Sequence, residues 1–179
     1  MVDSVKINRA PVMTLWAAVV AERLGYDEDT ALTLGKAVSG LNAQSKGQRL
    51  GIYDGDSGDD EEGRKAARDR QPDEQYTVGL LGRAVPVVDT KDGVRAISKG
   101  RPDDPASVRR YLKNKFGEAL PQVTEEMRAL AAHFSEDELK RRAYSLYEEF
   151  RPEVPEGTRG WGAKGILDLE KLRELREAA

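Results

Sequence analysis

A mainly α fold, a helical bundle-like domain with one small β-hairpin, is what this sequence predicts, and three observations carry it. Apolar residues recur at the three- and four-residue spacing of a buried helix face along most of the chain. Aromatics make up 6% of residues against 39% hydrophobic overall, so the core must be mostly Leu, Val and Ala, which suits helix packing. Only the stretch around residues 82–98 joins β-branched residues to a strong hairpin turn.

Pro11 opens the first helix, where its missing N–H costs nothing, and Val12, Leu15, Trp16, Val19 and Val20 follow on one face. Gly25 ends it. Asp27 or Asp29 caps a second helix with Ala31, Leu34, Ala37, Val38 and Leu41 inward, ending near Gly47. This N-terminal pair occupies residues 1–52. Residues 53–75 are nearly free of hydrophobes and hold 9 acidic and 4 basic groups, which reads as a mobile acidic linker or exposed loop. Residues 76–179 form the larger part, a hairpin followed by helices.

In the hairpin, Val85, Val87, Val94 and Ile97 are strand-like and Asp92-Gly93 supplies the turn; Pro86 implies an edge strand, because it cannot donate to a ladder. Asp104 with Pro105 starts a helix that Gly117 stops. Pro121 opens another, with Val123, Met127, Leu130 and Ala131 on one face. Ser135 and Glu138 form a capping box ahead of Leu139, Ala143, Leu146, Tyr147 and Phe150. After a loop at 151–165, Asp168 caps a last helix with Leu169, Leu172 and Leu175.

Function is far less legible. The absence of cysteine excludes disulfides, thiolate nucleophiles and Cys-ligated metals, and the single histidine, His133, excludes a multi-histidine metal site. No cofactor is implied. Met1–Arg9 does not read as a secretory signal, and the longest apolar run is too short to span a bilayer, so a cytoplasmic location without membrane contact is expected. The net charge of −3 gives no global basic field.

Three segments are candidate binding sites. The loop at 151–165 is the first choice. Its four glycines permit close backbone approach, and Trp161 with Arg159 and Lys164 nearby has the composition of an interface anchor for a protein partner or a second copy of the chain. The bland alternative is a tryptophan folded back into the core. The second segment carries Asn42, Gln44, Lys46 and Arg49 at a helix end, where cations also simply complement the helix dipole. The third is the cationic stretch 76–102, with 5 basic and 2 acidic groups, in which Arg95, Lys99 and Arg101 could follow a nucleic-acid backbone or merely guard a sheet edge. A hairpin there could also present an edge for strand addition by a peptide.

The first two helices add a resemblance. Ala21, Leu24, Gly25 and Ala31 have the spacing of the centre of DNA-binding helix-turn-helix domains, over about 20 residues. That resemblance implies a recognition helix beginning at Asp27, Glu28 and Asp29, three carboxylates that would repel phosphate.

Overall fold

The structure, a computed structural model, describes residues 4–49, 75–98, 100–152 and 164–178, with the backbone alone given for 42–49, 98, 164 and 178. Strand β1 (Ser4–Asn8) leads directly into α1 (Arg9–Arg23), which a short turn joins to α2 (Glu28–Arg49). Strands β2 (Tyr76–Leu80), β3 (Arg83–Thr90), β4 (Gly93–Ser98) and β5 (Arg101–Pro102) follow. Then come α3 (Pro105–Phe116), a 3-10 turn (Gly117–Ala119), α4 (Leu120–Ala132), α5 (Glu136–Phe150), β6 (Lys164–Asp168) and α6 (Leu169–Ala178).

Helix α1 is the centre of the molecule. Every residue from Pro11 to Ala21 is buried, the pattern of a helix packed on all sides rather than along one stripe. It contacts α2, α3, α4 and α5. Trp16 lies at its middle, fully buried; its indole N–H donates to the Ala143 carbonyl at 2.9 Å and its ring meets Phe150 edge-on at 5.2 Å. Burying the indole without that acceptor would carry the desolvation cost of an unpaired donor.

The crossing of α1 and α2 depends on Gly35. A Cβ there would sit 2.3 Å from the Thr14 carbonyl oxygen and 3.1 Å from the Ala18 nitrogen, so only glycine lets the two backbones approach this closely. Gly25 makes the turn at φ +112°, and the Asp27 carboxylate caps α2 by accepting the Thr30 N–H at 3.1 Å. From Thr30 to Ser39, Lys36 is the one exposed side chain of α2. The other faces meet α1, α3 and strands β3 and β4.

Among the described residues six strands form two antiparallel sheets, which corrects the expected bundle with one hairpin to a mixed α/β architecture that is still mostly helical. The first sheet is the β1–β6 ribbon, with Ile7 opposite Gly165 and Asn8 opposite Lys164. The loop expected at 151–165 therefore ends earlier, since Lys164 and Gly165 are already strand. The second sheet has the order β2-β3-β4-β5. Its first hairpin turns through Leu81 at φ +50° and Gly82 at φ +75°, the signs of a type I′ turn.

Pro86 lies in the central strand β3, not at an edge. Hydrogen-bonded and non-bonded pairs alternate away from the tight turn, so Pro86, opposite Thr77, falls at a non-bonded position towards β2. On its other side the ladder ends at Val87 opposite Ala96, just where an N–H from residue 86 would next be needed.

On the side of β4 that faces away from β3, β5 pairs with Ile97 and Ser98, and side chains of α2 cover the residues before them. Thr30 Oγ1 lies 2.7 Å from the Val94 carbonyl, and Thr33 Oγ1 accepts the Ala96 N–H at 3.0 Å. The Ala96 carbonyl accepts the Asp103 N–H at 2.8 Å.

The later helices are amphipathic and capped where the sequence indicates. Asp104 accepts the Ala106 N–H, Ser135 the Glu138 N–H, and Asp168 the Glu170 N–H. Among the described residues no helix is long and apolar enough to cross a membrane. The linker expected at 53–75 lies, up to residue 74, outside the described residues.

Candidate functional site

The 151–165 candidate is best approached from the residues on either side of 153–163. At the end of α5 the Arg151 N–H closes the helix on the Tyr147 carbonyl at 2.8 Å, and Arg151 takes the extended conformation that a following proline imposes. Pro152 is buried, and its carbonyl accepts the Arg9 Nε–H at 2.9 Å. The Tyr147 hydroxyl donates to the Arg9 carbonyl at 3.3 Å. Burial pushes the Tyr147 phenol well above its ordinary value, so it stays a donor at any physiological pH.

On the far side, Lys164 is paired with Asn8, the residue before Arg9. Pro152 and Lys164 are thus held by two consecutive residues, at the junction of β1 and α1, although 12 positions separate them in sequence. The two residues that flank the segment are therefore anchored at one place, which gives it a closed base. Arg159 and Trp161 lie outside the described residues, as does the side chain of Lys164.

The second candidate sits on α2, whose helical backbone continues through Asn42, Gln44, Lys46 and Arg49; those side chains are outside the description. In the third, Lys99 is outside it and Arg101 is exposed on β5. Arg95 is turned inward. Its Nη1 donates to the Val94 carbonyl at 2.8 Å and approaches Thr30 Oγ1 at 3.4 Å, while Nη2 donates to the Asp92 carbonyl at 3.1 Å. With the side chain 8% exposed, this guanidinium ties the β3–β4 turn to α2.

Around Arg95 lies an open polar depression of about 590 Å³ that also holds Asp29, Asp92, Asp103 and Asp104. Its charges are largely matched internally. Lys36 reaches the buried Asp103 at 3.1 Å, and Arg109 bonds Asp29 at 2.9 Å and Glu28 at 3.3 Å. The Asp29 hydrogen bond, with support from Glu28, raises the Arg109 pKa further. Asp104 serves as a helix cap. These groups hold α2, α3 and the sheet together, and among the described residues no cluster of three or more metal-ligating side chains forms.

Helices α1 and α2 are joined by a short turn, the local arrangement that the helix-turn-helix resemblance implies. The helix corresponding to a recognition helix is packed on α1, α3 and the sheet, and its opening carboxylates are engaged with Arg109. His133 is exposed at the end of α4, with its ring edge-on to Phe134 at 5.8 Å.

One surface feature escaped the sequence reading: the outer edge of β2 and the groove beside it. Tyr76, Thr77 and Val78 are strand-formers, but they adjoin the polar run at 53–75 and are shorter than a complete strand signal.

Neither a protein family, a curated protein nor a solved structure matches this chain.

Proposed function

We propose that this chain is a cytoplasmic binding protein that engages a protein partner, or a second copy of itself, through the segment between α5 and β6, with Trp161 as the anchor and Arg159 and Lys164 beside it. The observation that supports this reading is the closed base: Pro152 held by Arg9, and Lys164 paired with Asn8. A tryptophan carried between fixed ends loses less conformational freedom on binding than one on an open tail, and that saving appears as affinity.

The test is affinity capture from nuclease-treated lysate by the wild type and by a Trp161→Ala/Lys164→Ala double variant, with folding of both verified by circular dichroism. A protein retained by the wild type and lost from the folded variant supports the interface. Equal recovery by both, or none by either, overturns it.

A further inference from the structure

The outward sides of β4, beyond its short pairing with β5, and of β2 are treated differently. On β4, the Arg95 guanidinium, Thr33 and the Asp103 N–H take up the outward backbone groups of Val94 and Ala96. On β2 the alternation set by the type I′ turn points the N–H and C=O of Thr77 and Gly79 away from β3. Among the described residues no strand pairs with that edge. Natural sheets usually guard such an edge with charge or proline; Tyr76-Thr77-Val78-Gly79-Leu80 has neither.

Beside this edge runs a groove in two adjoining parts, of about 500 and 290 Å³, which share Leu24, Gly79 and Lys140. One wall is β2. The other is the α1–α2 turn with Lys140 and Ala143 of α5. The smaller part, beside Leu24, Leu80 and Ala143, is mainly apolar; the larger part adds Tyr26 and polar surface, and Lys140, shared by both, is exposed and makes no ion pair among the described residues. With a wall beside the free edge, a single added strand is a better fit than the whole sheet of a second copy. The solitary cation favours a strand that carries a carboxylate.

We propose that the β2 edge and this groove bind an extended segment of another protein as an added strand, with an apolar side chain seated against Leu24 and Ala143 and an acidic side chain reaching Lys140. Main-chain bonds to Thr77 and Gly79 supply affinity, and the groove supplies selectivity. Leu24, Thr77, Gly79, Lys140 and Ala143 all lie outside the segment between α5 and β6.

The test pans the full chain against a phage-displayed library of random dodecapeptides. Enriched peptides should alternate apolar residues and include an acidic one. Gly79→Pro removes one outward donor and no hairpin bond, and a Cβ at that position meets nothing within 4 Å. It should weaken the selected peptides by about tenfold or more, as expected for a lost hydrogen bond and a blocked edge, while Gly79→Ala binds as wild type. The Trp161→Ala/Lys164→Ala variant should bind them unchanged. If Gly79→Pro does not fold, Lys140→Glu serves instead: it should weaken the acidic peptides and recover binding when their acid is exchanged for lysine. No enrichment, full binding by folded Gly79→Pro, indifference to Lys140→Glu, or loss confined to the Trp161 variant would overturn the proposal.

Discussion

Thr33 and Ala96, 63 positions apart in sequence, are joined by a 3.0 Å hydrogen bond in which the threonine hydroxyl accepts the strand's N–H. The same hydroxyl gives its own proton to the Thr30 carbonyl at 2.8 Å, so donor and acceptor are both used. Thr33→Val keeps the shape and removes both, leaving a buried N–H without a partner. A loss of about 1–3 kcal/mol in urea unfolding is expected, with Thr33→Ser recovering most of it.

Two glycines of α2 should respond to alanine with opposite signs. Alanine in a helix interior gains up to about 1 kcal/mol in propensity. At Gly40 the added methyl meets nothing within 4 Å, so Gly40→Ala should stabilise by about that amount. At Gly35 it would lie 2.3 Å from a backbone oxygen, which cannot yield as a flexible side chain would. Overpacking then outweighs propensity, and Gly35→Ala should lose a net of about 1–3 kcal/mol. Thermal unfolding of the two variants checks both signs.

The Asp27 cap carries a pH signature. Its hydrogen bond to the Thr30 side chain, aided by the Thr30 N–H, holds the Asp27 carboxyl below its ordinary 3.8. A carboxyl lowered on folding contributes stability above its unfolded value and loses it as pH falls through the folded value. The stability gap between wild type and Asp27→Asn should therefore be constant above about pH 5 and shrink as pH drops below the ordinary carboxylate range. A gap independent of pH down to acid unfolding would contradict the assignment.

Arg9 should control the base of the segment between α5 and β6. Arg9→Met keeps the aliphatic stem and removes the donor to the Pro152 carbonyl. Loss of about 1 kcal/mol of local restraint corresponds to roughly fivefold faster tryptic cleavage after Arg159, read by mass spectrometry. An unchanged rate would show that the Arg9 bond does not hold the base.

The helices were legible because their signals are local. Asp104, Ser135 and Asp168 cap the helices they precede, and the heptad-like faces of Val123–Ala131 and Leu139–Phe150 are buried as their spacing implies. The strands were less legible because theirs are not. Ser4–Asn8 shows a brief alternation of Val5 and Ile7, and its partner lies 160 positions away, so nothing nearby marks the pair. The β2–β3 turn places a leucine at positive φ, a residue no turn rule selects, and the hairpin's first strand went unread.

The candidate sites followed the same division. Composition marked Trp161 and its neighbouring cations, whereas the junction of Asn8 and Arg9 that closes their base is purely tertiary. Arg95 was marked by charge alone, and only the packing of α2 against β4 shows that its guanidinium faces inward.

The most direct measurement is hydrogen–deuterium exchange of the full chain with and without the protein captured from lysate. The proposed function expects new protection confined to peptides spanning 151–165. Protection elsewhere, with those peptides unchanged, would contradict it.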